Sequence, residues 1–117
     1  MPAIILLADD NDLARSMYAD AFRAEGYQVV EASNGQEALQ IARMHSPDAI
    51  IMDIAMPVMD GVLATRTLRG IPELTGVFVI ACSGMPVNAE PGLFDYVVTK
   101  PVAPSALVTI VAQMLLP

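Results

Sequence analysis

Hydrophobic and polar positions fall into blocks that alternate between two periods along this chain. Residues Ala3, Ile4, Ile5, Leu6, Leu7 and Ala8 form an unbroken apolar run that ends at Asp9, as a strand covered on both faces should. Leu13, Met17, Ala21 and Phe22 then recur at helical spacing. Asn11 or Asp12 can cap that helix, and Gly26 can end it, because glycine enters the left-handed region freely. Residues 27–32 read as a second strand, and Asn34 precedes a second helix carrying Ala38, Leu39, Ile41, Ala42 and Met44, which Pro47 stops. Residues 49–52 form a third strand leading into Asp53, Asp60 caps a helix over 61–69, and residues 77–82 form a fourth strand. Residues 84–92 hold Gly84, Pro86, Pro91 and Gly92, so one helical turn is the most that fits there. Residues 94–99 read as a fifth strand, and Pro104 suits the first turn of a last helix that runs to about Leu116.

Strands alternating with helices predict an α/β fold: a doubly wound, five-stranded parallel sheet in the order 2-1-3-4-5, with a degenerate fourth helix. Ligands of such sheets bind beyond the carboxyl ends of the strands. Asp9, Asp10, Asp53, Ser83 and Lys100 all fall at those ends.

Composition narrows the function. A chain of 117 residues with 55% hydrophobic content suits one domain, residues 1–117. No apolar run is long enough to span a bilayer, and the first strand lacks a basic leader, so a cytoplasmic location is expected. Cys82 is the only cysteine, which excludes an internal disulfide and a thiolate zinc site and suits a buried apolar thiol. The net charge of -7 disfavours direct contact with nucleic acid or an anionic membrane.

Three carboxylates in one cleft repel each other by about 4 kcal/mol per pair at roughly 4 Å and an effective dielectric near 20. Positive charge must sit among them. Mg²⁺ suits such oxygen ligands, and Lys100 supplies a mobile ammonium. Together they can neutralise a phosphoryl group that Asp53 attacks in line, with the Ser83 hydroxyl donating to a phosphoryl oxygen. Each feature also has an ordinary explanation. Two acids after a strand often form a solvated turn, Asp53 can be a turn residue, Lys-Pro is a common dipeptide, and Ser83 can satisfy nearby backbone. Their arrival in chain order at the ends of strands one, three, four and five favours a joint role.

The runs Leu7-Ala8-Asp9-Asp10-Asn11 and Asp53-Ile54-Ala55-Met56-Pro57-Val58-Met59-Asp60-Gly61, with Lys100-Pro101, resemble the motifs of response regulator receiver domains over nearly the whole chain. The resemblance implies a flavodoxin-like receiver fold and a phosphoacceptor Asp53. It implies Mg²⁺ held by Asp10, Asp53 and the backbone carbonyl of Ala55, with support from Asp9. Ser83 and Lys100 would hold the phosphoryl group, and the Lys100-Pro101 bond would be cis. The implied phosphodonor is a histidine kinase or a histidine phosphotransfer protein. The domain would act as a switch that catalyses only its own phosphorylation and dephosphorylation. His45, near the end of the second helix, suits a surface role.

Three departures from the family pattern bear on output. The fourth helix is reduced. The position three residues before the lysine, aromatic in many receivers, is Val97, and Tyr96 beside it points to the opposite face unless a bulge restores the register. The last helix carries no charged residue, and its polar side chains Ser105, Thr109 and Gln113 form one narrow stripe. Its surplus apolar surface (Leu107, Val108, Val111, Met114, Leu115) predicts contact with a second copy or a neighbouring domain.

Other functions fit less well. A haloacid-dehalogenase-like phosphatase needs a second Asp two residues after the nucleophile, where Ala55 stands. A flavodoxin-like flavin carrier needs hydroxyls and glycine where Asp9, Asp10 and Asp12 stand. The remaining alternative is an atypical receiver that docks partners without being phosphorylated.

Overall fold

The computed structural model describes residues 2–117. Five parallel strands, β1 (Ile4–Ala8), β2 (Gln28–Ala32), β3 (Ala49–Asp53), β4 (Phe78–Ser83) and β5 (Tyr96–Thr99), form one sheet in the order β2-β1-β3-β4-β5. The helices are α1 (Asp12–Ala24), α2 (Gly35–His45), α3 (Gly61–Arg69) and α4 (Pro104–Met114). A 3₁₀ turn over Pro72–Leu74, which the sequence pattern did not reveal, leads from α3 toward β4.

The unbroken apolar strands are explained by cover on both faces. Leu6, Ile50, Met52 and Val79 pack with Ala38 and Ala42 of α2 and Ala64 and Leu68 of α3. Ile5, Leu7, Ile51 and Ile80 pack on the other face with Phe22 of α1 and with Leu107 and Val111 of α4. Side chains of Asn11, Asn34 and Asp60 each accept a backbone N–H of the helix that follows, and they set where α1, α2 and α3 begin. Gly26, after α1, has φ +92°, the left-handed value expected of a glycine stop.

Two expectations about the last helix change. It ends at Met114 rather than Leu116. Leu107 and Val111 are fully buried against the sheet, so neither is available to a second copy. Val108, Ile110, Met114 and Leu115 also pack against that core and are half-buried. Most of the apparent surplus therefore belongs to the interior. Ser105, Thr109 and Gln113 face solvent as the polar stripe required.

No helix forms between β4 and β5 among the described residues. Side chains of α3 hold that segment instead. The Arg66 guanidinium pairs with Glu90 through Nε and Nη2 at 2.9–3.1 Å. Arg69 donates to the carbonyls of Leu93 and Val77 and to Asp95 Oδ2. That Asp95 oxygen also accepts the Val79 N–H, while the Asp95 N–H bonds the Val79 carbonyl. Regular pairing accordingly starts at Tyr96 rather than residue 94. Tyr96 pairs with Ile80 and Val97 with Ala81 without a bulge, so Tyr96 and Val97 occupy opposite faces. A groove of about 260 Å³ lined by Val87, Glu90, Phe94 and Val97, among others, lies beside the segment.

Candidate functional site

The carboxyl ends of the strands bring the predicted residues together. Asp9 follows β1, Asp53 ends β3, Ser83 ends β4 and Lys100 follows β5. Asp9 and Asp53 are buried and Asp10 is exposed, yet all three place a carboxylate oxygen within 4.8 Å of one another. Asp9 Oδ1 accepts the Asn11 N–H at 2.9 Å, which folds the chain back and sets Asp10 at the mouth. The Lys100 N–H bonds the Ser83 carbonyl at 2.8 Å. Its Nζ lies 3.4 Å from both Asp9 Oδ2 and Asp53 Oδ1.

Three carboxylates against one ammonium leave two negative charges in a half-buried cleft. That imbalance, with oxygen the only donor type, matches a hard divalent cation. No described residue donates a hydrogen bond to the Ala55 carbonyl, so the fourth expected ligand is free. Burial pushes the Asp53 pKa up, Lys100 pulls it back, and Asp9 adds to the rise. For Lys100, burial acts to lower the pKa but Asp53 and Asp9 outweigh it, leaving a net rise. The ammonium is therefore retained at neutral pH.

The sign of the Asp53 shift gives a prediction. An acid whose pKa is higher folded than unfolded destabilises the folded state above the ordinary carboxylate range, and that effect is absent below it. Asp53→Asn should raise the Tm of the metal-free protein at pH 7, and the gain should vanish below about pH 4. Thermal unfolding of both proteins across pH checks this.

Ser83 sits where expected, but its hydroxyl is engaged. Its Oγ donates to the Met85 carbonyl at 2.7 Å and accepts the Met85 N–H at 3.1 Å. Donation to a phosphoryl oxygen requires release of Met85. Cys82 is buried beneath the site, and burial pushes its thiol up to about 12, so it remains protonated and inert. His45 is exposed at the last position of α2.

The loop from Asp53 to α3 is closely fitted. A Cβ on Gly61 would overlap the Asp53 carbonyl oxygen and press on Met52 Cγ at 2.9 Å, so only glycine lets α3 begin there. The Gly61 N–H bonds the Ile54 carbonyl, and the Gly35 N–H bonds the Met59 carbonyl. Between these fixed points, Val58 has φ +68° and the Met59 N–H bonds the Pro57 carbonyl. A β-branched residue in a left-handed γ-turn is strained. Its side chain is 77% exposed and contributes little packing. Val58→Asn should therefore raise stability by about 1 kcal/mol, readable as a higher denaturant midpoint with an unchanged slope.

Two residues near the site left no signal in the sequence. Arg15 on α1 donates to the Asp9 carbonyl at 2.7 Å, to Asp12 at 2.8 Å and to Glu31 at 3.1 Å, and so braces the acidic turn. Tyr18, one helical turn on, donates to the Val102 carbonyl at 3.0 Å. A hollow of about 430 Å³, lined by Arg43, Ser46, Ile71 and Glu73 among others, lies near the amino ends of β3 and β4. It contains none of the predicted site residues.

Residues 5–112 match the family model of the response regulator receiver domain. The polar-differentiation response regulator DivK of Brucella anthropi is 36% identical over 90 residues, covering 77% of this chain and 73% of DivK. The chemotaxis protein CheY4 of Vibrio cholerae superposes with a TM-score of 0.89 at 25% identity, covering 98% of this chain and all of that one. The receiver domain of the hybrid histidine kinase CckA superposes at 0.81 with 34% identity, covering 97% and 99% of the two chains. With the acid cluster and its lysine at the carboxyl edge of a 2-1-3-4-5 sheet, these matches define the class. The chain belongs to the response regulator receiver domain family of two-component signalling.

Proposed function

We propose that this domain takes a phosphoryl group from a histidine kinase or a histidine phosphotransfer protein onto Asp53 and thereby switches a protein-interaction surface. The observation that carries the reading is the buried Asp53 carboxylate, 3.4 Å from Lys100 Nζ and clustered with Asp9 and Asp10. An Asp53 oxygen forms the new bond to phosphorus as the bond from phosphorus to the donor atom breaks, its electron pair leaving with the donor. Lys100 swings from the carboxylates to a phosphoryl oxygen, and Ser83 supplies a second donor once it leaves Met85. Asp10, Asp53 and the Ala55 carbonyl, supported by Asp9, would hold Mg²⁺, which when bound offsets the negative charge on the phosphoryl oxygens. The catalysis is confined to the domain's own phosphorylation and dephosphorylation.

Met17, 54% exposed on α1, lines an apolar hollow with Tyr18, Val102 and Pro104, and Tyr18 also borders Asp9 and Asp53. An apolar patch next to the reactive carboxylate supports docking of a protein phosphodonor. Such donors act in the cytoplasm, where we place the domain. A second copy or a neighbouring domain at α4 would have to use apolar side chains left partly open there, among them Val108, Ile110, Met114, Leu115 and Leu116.

Incubation with Mg²⁺ and acetyl phosphate tests the reading. The wild-type protein should gain the mass of one phosphate, and Asp53→Ala should gain none. Labelling that persists in the variant would refute it. The missing helix between β4 and β5 favours the alternative of docking without phosphorylation. That alternative predicts equal partner binding by wild type and Asp53→Ala.

A further inference from the structure

Lys100 acts through the tip of a flexible four-carbon stem, so the backbone that carries it decides what its ammonium can reach. On one side that backbone is fixed by the Lys100 N–H to Ser83 bond at 2.8 Å. On the other side, Pro101 has no N–H to donate, and the helical bonds of α4 begin only at the Ala103 carbonyl. Between these two ends, Tyr18 Oη on the Val102 carbonyl, at 3.0 Å, is the only side-chain hydrogen bond to the backbone of residues 101–102 among the described residues. It joins positions 84 residues apart.

The Tyr18 ring packs against the core face that includes Val98 and Val102. With Arg15 it also lines a small hollow bounded by Asp9, Asp53 and Cys82. Tyr18 thus shares a hollow with Asp9 and Asp53, and its hydroxyl reaches the strand-to-helix turn that presents Lys100. Phenylalanine would supply the same packing without the bond. The hydroxyl therefore serves the Val102 contact rather than the core.

We propose that Tyr18 is a positioning residue for Lys100, holding residues 100–102 so that the ammonium meets a phosphoryl group on Asp53. The inference rests on the phosphoacceptor reading above. Tyr18 touches neither the phosphoryl group nor the metal ligands' side chains in this role, and its effect passes through Lys100 alone.

A double-mutant cycle separates this from a general structural role. The rate of phosphorylation by acetyl phosphate with Mg²⁺ is measured by intact mass for wild type, Tyr18→Phe, Lys100→Ala and the double variant. Tyr18→Phe should slow the reaction by about tenfold with lysine present and by nothing further when Lys100 is alanine. Its Mg²⁺ affinity should not fall below that of wild type, and amide exchange at Lys100 should quicken. A Tyr18→Phe rate equal to wild type, the same loss in both backgrounds, or unchanged exchange at Lys100 would overturn the proposal. If wild type itself gains no phosphate, the phosphoacceptor reading fails and the positioning role falls with it. In that case the exchange at Lys100 still reports whether the Val102 bond holds the segment.

Discussion

Gly61→Ala should destabilise the protein by at least about 2 kcal/mol, lowering Tm by roughly 8 °C or more. The added methyl has nowhere to go. It would overlap the carbonyl oxygen of Asp53, a backbone atom fixed within β3, and crowd Met52, which is fully buried. Relief would require α3 to withdraw from the sheet, opening the packing of Ala64 and Leu68. The same shift would move the loop that carries Ala55, so phosphoryl uptake should fall together with stability. Thermal unfolding checks the first effect and intact mass after acetyl phosphate treatment the second. A variant as stable as wild type would show that α3 does not need to start so close to Asp53.

Lys100→Ala should slow phosphorylation of Asp53 by about a hundredfold or more, the scale of losing one donor aimed at developing charge. Magnesium should respond in the opposite direction. Lys100 lies 3.4 Å from two of the three carboxylates and competes with any cation for them, so its removal should tighten Mg²⁺ binding. A merely structural lysine would weaken both activities or leave both unchanged. Opposed effects on metal affinity and phosphorylation rate are therefore the signature to look for, by calorimetry and by mass spectrometry.

Much of the scaffold was readable from local pattern, for physical reasons. Strands buried on both faces must be largely apolar; β1 is so throughout and β3 up to the Asp53 that ends it. Helix starts favour a side-chain acceptor, and Asn34 and Asp60 stand at theirs. The residues of the acidic rim were readable because each follows a recognisable strand end. What escaped depends on contacts between distant positions. Tyr18 and Val102 leave no periodicity, and neither do Arg66 with Glu90 or Arg69 with Asp95. Those α3 arginines do the work of a helix in holding residues 84–95, which composition could mark as helix-poor but not as pinned. The last helix was misread for a related reason. Its run of apolar residues resembled surplus surface, yet two of them are wholly buried and four more pack on the core shared with α1. Hydrophobicity alone does not say how wide a stripe the neighbouring elements will cover.

Three carboxylates against one ammonium leave an excess of negative charge that a divalent cation would offset. Calorimetric titration of Mg²⁺ into wild type and Asp53→Asn tests it most directly. One binding site in wild type, with at least about a tenfold loss in the variant, is the predicted result. No measurable binding to wild type, or equal binding to both proteins, would contradict it.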